Sequence, residues 1–349
     1  MKLIVTGGLG FIGSNYIEKI IKNKSIRVYN FDLENYASND KQLRKFRTYK
    51  NFFHTKLDIS NFKILKENFD KIKPDIIINF AAETHVDNSI KSSKKFIYTN
   101  IIGTFNLLEC ARFYLKKKNK KKFKFIHIST DEVYGDLKIN DKKKFSEISK
   151  LSPSSPYSAS KASADLLVGA WYRTYNIPSI ITHSANNYGP YQNKEKLIPK
   201  TILNIINRKK IPIYGNGKQI RDWVHVKDHS EAIFKVFKKG KIGETYNIGA
   251  SNQKRNLEIA KLIFSALKRL NKKNTYKNFL HNVDFVNDRP GHDKRYAIDG
   301  TKIKKLGWIP KINFEKGIEE TVKWYLENEN WWRNILKNKY KLERIGKIK

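Results

Sequence analysis

The sequence predicts a doubly wound parallel α/β sheet with a smaller α/β lobe interleaved with it. Three observations carry that prediction. Short apolar runs alternate with helix-period segments through the first half of the chain. A glycine triplet, Gly7, Gly10 and Gly13, stands between the first apolar run and the first helix. The carboxylates and hydroxyls with chemical character fall just past the ends of strand candidates, where ligands of such sheets sit.

Each element follows in order. Lys2–Thr6 reads as a buried strand, and after the glycines Ile17, Ile20 and Ile21 share one helix face. Residues 27–31 form a second strand that ends at Asp32, and residues 75–80 a third apolar strand, after Pro74, closing on Ala81-Ala82. Phe105, Leu107, Leu108 and Ala111 mark a helix, and residues 123–128 a strand whose end delivers Ser129 to Glu132. Past residue 185 the texture changes. Residues 186–191 read as a loop, 195–208 as a helix, 211–217 as a strand and turn, and 245–248 as a returning strand. Asn256–Leu270 and residues 314–328 have helical patterns. The division expected is a Rossmann-type domain at 1–184 with a returning segment near 223–250, and a second lobe at 185–222 and 251–330. A basic tail at 331–349 follows, in which Trp331-Trp332 packs on the lobe surface.

Composition limits the function classes. The 349 residues, 40% hydrophobic and 13% aromatic, suit a globular fold with a large core. Cys110 is the only cysteine, which excludes an intrachain disulfide and Cys-rich metal sites. His85, His183, His225 and His292 lack metal-ligand spacing, so no metal is expected. The N-terminal apolar run is too short for a signal peptide. No run reaches the ~18 apolar residues of a membrane span, so a soluble cytoplasmic protein is expected. The 70 basic and 33 acidic residues leave a charge of +37. Lysines spread along the whole chain beside abundant Asn and Ile, all with A/T-rich codons, so genome composition explains the charge better than a nucleic-acid partner. The run from Lys116 to Lys122 reads as a solvated loop. The positive field would speed capture of a polyanionic substrate.

Three motifs carry chemistry. Gly7, Gly10 and Gly13, with Phe11 and Ile12 between them, allow a tight turn that brings backbone close to a pyrophosphate on a helix N-terminus. Asp32 would accept from the adenosine ribose hydroxyls and repel a 2′-phosphate, which favours NAD over NADP. Asp58 and Ile59 could flank the adenine, with a solvated loop aspartate as the competing reading. Tyr157 and Lys161, four apart, share a helix face. A neighbouring ammonium and a nicotinamide cation would stabilise the phenolate, making Tyr157 a base near neutral pH, with Lys161 also on the nicotinamide ribose. Asp131-Glu132 adds two carboxylates that a simple alcohol dehydrogenase does not need. One suits an acid for a leaving hydroxyl and the other a base for a carbon-bound proton, against the bland reading of a capping or solvated pair.

With those residues in hand, the chain resembles the extended short-chain dehydrogenase/reductases and, more narrowly, the dTDP-glucose 4,6-dehydratase family. The likeness covers about residues 1–330. It rests on the segments at 6–14, 81–87, 129–135, 157–162, 186–192, 195–199, 221–226 and 288–296, of which Thr130-Asp131-Glu132 and Asp288-Arg289-Pro290-Gly291-His292 are the narrower marks. The resemblance implies dehydration of dTDP-glucose on bound NAD. Tyr157 deprotonates the 4-hydroxyl, Thr130 holds that oxygen, Glu132 removes the C5 proton and Asp131 protonates the departing 6-hydroxyl. It also implies that Ala81, Ala82, Thr84 and Thr99 line the NAD site. Thr84, Asn187, Glu195, Lys196 and Leu197 would meet the sugar nucleotide, with Pro212 and Tyr214 about the thymine. Arg221, Asn256, Arg289, His292 and Tyr296 would meet the phosphates, nucleoside or sugar. Departures stand at Asn88, His225 and Lys227, where the family commonly has other residues. A homodimer through helices near 100–116 and 157–175 is a further implication. A GDP-mannose 4,6-dehydratase and a UDP-sugar 4-epimerase are the nearest alternatives. Asp131 counts against the first, and the Asp131-Glu132 pair against the second. A basic NAD-fold protein that binds nucleic acid is the remote one.

Overall fold

A computed structural model describes residues 1–117, 123–271 and 278–337. Most of the lysine run expected to be a solvated loop, and residues 338–349 of the expected tail, lie outside the described residues.

The strands are β1 Lys2–Thr6, β2 Arg27–Asp32, β3 Phe52–Lys56, β4 Ile76–Asn79, β5 Lys124–Thr130, β6 Ser179–Ser184, β7 Asn186–Tyr188, β8 Ile211–Tyr214, β9 Ile220–His225, β10 Thr245–Ile248, β11 Gln253–Arg255 and β12 Val283–Val286. Seven of them form one parallel sheet in the order β10-β6-β5-β4-β1-β2-β3. The strand order reverses between β1 and β4, so a crevice opens there at their carboxyl ends. Strand alternation divides the core between the two sheet faces. Leu3, Val5, Ile76, Ile78, Ile126 and Ile128 pack on one face, and Ile4, Ile77 and Phe125 on the other. Burial on both faces explains why these strands read as continuous apolar runs.

A second core gathers Tyr188, Ile198, Ile202, Ile211, Trp223, Ile259, Ile263, Phe314 and Tyr325 in the smaller lobe. Two small sheets frame it, β11-β9-β7 and β12-β8.

Three expectations are corrected. Residues 186–188, expected as a loop, form β7, because pairing with Trp223 to His225 of β9 overrides the poor strand propensity of two asparagines. The strand predicted at 123–128 runs on to Thr130, since Ser129 and Thr130 pair with His183 and Ser184. Residues 331–337, expected as tail, belong to a helix, Glu329–Lys337. Trp332 of that helix is 1% exposed in the second core rather than on the lobe surface, donating its indole N–H to Tyr325 O at 2.8 Å.

Candidate active site

The glycine triplet forms a cradle that side chains would fill. Gly7 has φ +66°, and a Cβ there would lie 2.7 Å from Ala81 Cα; a Cβ on Gly13 would lie 2.4 Å from Gly7 O. Gly10 N donates to Gly7 O at 3.1 Å, closing the turn. The helix Phe11–Ile20 then starts with no side-chain cap, which leaves its first N–H groups for an anion. Asp32 ends β2 beside this turn. Its Oδ2 accepts from Leu9 N at 2.9 Å, and its Oδ1 from Ser38 Oγ at 2.7 Å and Glu34 N at 2.9 Å. The cradle and the carboxylate fit a dinucleotide.

One cleft gathers the expected dinucleotide residues. Gly7, Gly10, Phe11, Ile12, Gly13, Asp32, Asp58, Ile59, Ala81, Ala82, Thr84 and Thr99 all line it, and so do Thr130, Asp131, Glu132, Tyr157, Lys161, Asn187, Glu195 and Lys196. Thr99 sits in a π-helical turn, Ile97–Ile102, a motif that re-aims side chains. The neighbouring Asn100 holds the 81–84 wall: its Oδ1 accepts from Glu83 N at 2.9 Å and its Nδ2 donates to Glu83 O at 3.1 Å.

Tyr157 and Lys161 owe their placement to a helix start, Pro156–Tyr175. Ser155 and Ser158 form a reciprocal capping box there, with Pro156 in the first turn. Tyr157 N donates to Ser89 Oγ at 3.1 Å, pinning the turn. Lys161 Nζ donates to Ile128 O at 2.8 Å and lies 3.2 Å from His127 Nε2. Burial pushes Lys161 down to about 8 and His127 well below the usual imidazole value, so the imidazole is neutral and accepts. Burial raises the Tyr157 phenol well above its usual value. Glu132 adds to the rise, and a hydrogen bond with Thr130 opposes it. The expected lowering invokes a nicotinamide cation as well as Lys161, whose ammonium directs two of its three donors to Ile128 O and His127.

The carboxylate pair lies on the short 3₁₀ turn Asp131–Tyr134 that follows β5. Thr130 Oγ1 accepts from Glu132 N at 3.3 Å and faces Asp131 Oδ1 at 3.4 Å. Asp131 Oδ2 is buried with no hydrogen-bond partner among the described residues. Asp131 is raised well above the usual carboxylate range, first by burial and then by the charges of Glu132 and Asp222. Glu132 is also raised by burial, but Arg289, Lys196 and Arg221 pull it back. The environments therefore divide the pair into a neutral acid and a more readily ionised carboxylate.

The division has a consequence for stability. The folded protein keeps a proton on Asp131 that the unfolded chain releases above the ordinary carboxylate value, ~4. Stability from this residue therefore falls as pH rises from there through the raised value. Asp131→Asn removes that titration. Its melting temperature is expected to exceed that of the unaltered chain above neutral pH, with the gap closing toward the ordinary carboxylate range, as differential scanning calorimetry would read. A gap that does not change with pH would sink the assignment.

The remaining expected residues stand apart from the cleft lining. Tyr214 OH donates to Asp87 Oδ2 at 2.5 Å, and Arg289 Nη1 lies 3.3 Å from Asp87 Oδ1. His292 Nδ1 meets Asp288 Oδ1 at 2.5 Å, and burial with Arg289 and Arg221 nearby holds it down to about 4. The Arg221 guanidinium lies 4.1 Å from the centre of the Tyr296 ring. Arg221 and Arg289 are near enough to lower Glu132, so this cationic group borders the carboxylate pair. Arg289 Nε is buried without a partner among the described residues, a donor suited to an anion. Leu197 opens the helix Leu197–Ile206, Pro212 lies in β8, and Asn256 opens Asn256–Leu270 with its N donating to Gln219 O at 3.0 Å; none of the three lines the cleft.

Sequence reasoning missed Asn35, Tyr36 and Ser38, which line the cleft directly after Asp32. Their turn-forming composition immediately past an acidic strand end was an available signal. It also assigned no role to Asp87, the last residue of the 81–87 segment.

The family model described as GDP-mannose 4,6 dehydratase matches residues 4–321. A dTDP-glucose 4,6-dehydratase of Neisseria meningitidis serogroup B is 48% identical over 351 residues, 99% of each chain. The crystal structure of the Bacillus anthracis dTDP-glucose 4,6-dehydratase in complex with NAD superposes with a TM-score of 0.83 at 41% identity, over 96% of this chain and 99% of that one. The Streptomyces venezuelae dTDP-glucose 4,6-dehydratase, with NAD and TYD bound, superposes at 0.87 and 38% identity over 96% and 100%. The chain that carries this cradle, this tyrosine–lysine helix face and this divided carboxylate pair belongs to the dTDP-glucose 4,6-dehydratase family.

Proposed function

We propose that this chain is a dTDP-glucose 4,6-dehydratase, converting dTDP-glucose to dTDP-4-keto-6-deoxy-glucose and water on bound NAD. The observation that carries the reading is the divided pair of buried Asp131 and half-buried Glu132, beside Tyr157 in a dinucleotide cleft. Bound NAD supplies a hydride acceptor for C4 and a hydride donor for C6, with no net redox change. Gly7, Gly10, Gly13 and Asp32 would hold it, with Ala81, Ala82, Thr84 and Thr99 along the cleft and Asp58 and Ile59 at the adenine.

The chain's own groups move the protons. Burial raises the Tyr157 phenol, so the positive nicotinamide of bound NAD would have to offset that burial; as phenolate Tyr157 takes the proton of the sugar 4-hydroxyl, and Thr130 steadies that oxygen. The resulting 4-ketone acidifies the C5–H bond, which an unactivated sugar could not break at neutral pH. Glu132, the more ionised carboxylate, receives the C5 proton, and the electron pair moves to expel the 6-hydroxyl. Asp131, kept neutral by burial and by Glu132 and Asp222, donates its proton to that hydroxyl, and water leaves. Reprotonation at C5 by Glu132 restores that base, Tyr157 gives its proton up to solvent, and Asp131 takes one up from solvent. Arg221 and Arg289 would take the diphosphate, with Tyr296 and His292 beside them; guanidinium offers paired donors to phosphate oxygens. Asn187, Glu195, Lys196 and Leu197 would border the sugar, Pro212 and Tyr214 the thymine, and Asn256 the nucleoside.

The reading includes a homodimer in the cytoplasm. No helix of the described residues is long and apolar enough to cross a membrane. Phe105 and Phe113 on the helix Gly103–Lys117, with Leu166 and Tyr175 on Pro156–Tyr175, are exposed apolar side chains suited to a second copy.

Incubating the purified chain with NAD and dTDP-glucose, UDP-glucose or GDP-mannose tests the proposal by mass spectrometry. Loss of one water from dTDP-glucose without accumulation of reduced cofactor is expected. An isomer of equal mass from a UDP-sugar, or water loss only from GDP-mannose, would replace it.

A further inference from the structure

Trp331 makes a contact that its place in the second lobe does not require. Its indole Nε1–H donates to Asn39 Oδ1 at 3.3 Å, across 292 residues of sequence. Asn39 is 5% exposed and performs three tasks: it caps the helix Asp40–Phe46, its N donates to Leu9 O at 2.9 Å, and it receives Trp331. Leu9 belongs to the glycine turn, and its own N donates to Asp32 Oδ2 at 2.9 Å. A continuous hydrogen-bonded chain therefore runs from the C-terminal helix to both elements that would grip a dinucleotide.

The opposite lip of the cleft is tied to the same place. Tyr191, strained at φ +67°, lies with its ring centre 5.6 Å from Trp331 and 4.6 Å from Trp324. Tyr325 OH donates to Gln192 O at 2.6 Å, and Gln192 lines the cleft. Lys41 Nζ donates to Asn328 Oδ1 at 3.1 Å, a second tie between the helix Asp40–Phe46 and the turn before the C-terminal helix. Across the mouth, Tyr36 OH donates to Glu195 Oε1 at 3.3 Å. The C-terminal helix joins the two lips from outside.

We propose that Trp331 is a positioning residue for the bound dinucleotide, holding Asn39 so that the glycine turn and the Asp32 loop stay closed over it. The inference rests on the NAD reading above. It assigns work to a tryptophan pair that dehydratase chemistry alone leaves unused, and it divides that pair: Trp331 serves the cleft and Trp332 serves the core.

The test compares Trp331→Phe with Trp332→Phe in the full chain. Both lose one indole N–H and keep an aromatic ring. NAD release from the loaded protein is followed by rapid desalting and chromatography of the nucleotide, alongside kcat, KM for dTDP-glucose and the melting temperature. Trp331→Phe is expected to release NAD about three- to tenfold faster, the cost of one hydrogen bond at the lip. Its kcat at saturating NAD and its KM for dTDP-glucose stay unchanged. Trp332→Phe is expected to lower the melting temperature while leaving release unchanged. Equal release from Trp331→Phe and the unaltered chain, or equal acceleration in both variants, would overturn the inference and leave the NAD reading standing. An unaltered chain that binds no NAD would overturn both.

Discussion

Tyr157→Phe is expected to lower dTDP-glucose turnover by roughly 10²- to 10⁴-fold, the range for loss of a positioned proton acceptor. The substitution removes one oxygen and keeps the ring that packs edge-on against Phe96 at 6.3 Å, so the fold should persist. The phenol is buried in the cleft and already disfavours charge, so removing it does not cost the native state an ion pair. The effect should appear before any other step. In a single turnover with excess enzyme no absorbance of reduced cofactor is expected, because the 4-hydroxyl keeps its proton. Affinity for dTDP-glucose, read by calorimetry, should change little, since the expected diphosphate contacts lie on Arg221 and Arg289. Turnover within about threefold of the unaltered chain would move the base elsewhere, a rate change equal to less than one kcal/mol of barrier.

The sequence exposed the parts of this site whose chemistry demands a residue type at a fixed spacing. Gly7 and Gly13 were legible because no side chain fits against Ala81 or Gly7 O, and Tyr157 with Lys161 because one helix turn sets their separation. The apolar strands β1, β4 and β5 were legible because both faces of the sheet are covered. Other parts depend on contacts between distant segments. Asn186 and Asn187 look like loop residues until β9 pairs with them. β3 went unread because it is an edge strand of mixed polarity, with Phe53 exposed and stacked on Tyr29. The Asp87–Tyr214 and Asp87–Arg289 contacts span 127 and 202 residues, so no local pattern could announce them. The surroundings of Lys161 were hidden for a related reason. Spacing places Lys161 near the phenol, but only the fold shows its ammonium turned to Ile128 O and His127.

Glu132→Gln should separate oxidation at C4 from elimination. Tyr157 and Thr130 remain, so the sugar can still be oxidised, but glutamine accepts no proton from C5. Water loss is expected to fall by roughly 10²- to 10⁴-fold, and reduced cofactor should build up during a single turnover instead of staying near zero. Asp131 gives the prediction its direction. Glu132 is the second cause that raises Asp131, after burial, so its neutral replacement should let Asp131 ionise more readily. Glu132→Gln should thus lose its residual activity at lower pH than the unaltered chain, since a deprotonated Asp131 cannot protonate the leaving hydroxyl. Exchange at C5 offers an independent readout. In deuterium oxide the unaltered chain should place solvent deuterium at C5 of the product, because the proton leaves for Glu132 and returns after contact with solvent. Glu132→Gln should slow that exchange as much as it slows water loss. Undiminished exchange with slowed elimination would assign proton removal to a different group and leave Glu132 to electrostatics alone. The cationic side of the site sharpens the contrast: Arg289, Lys196 and Arg221 work against the burial that raises Glu132, so Glu132 ionises more readily than the acid beside it.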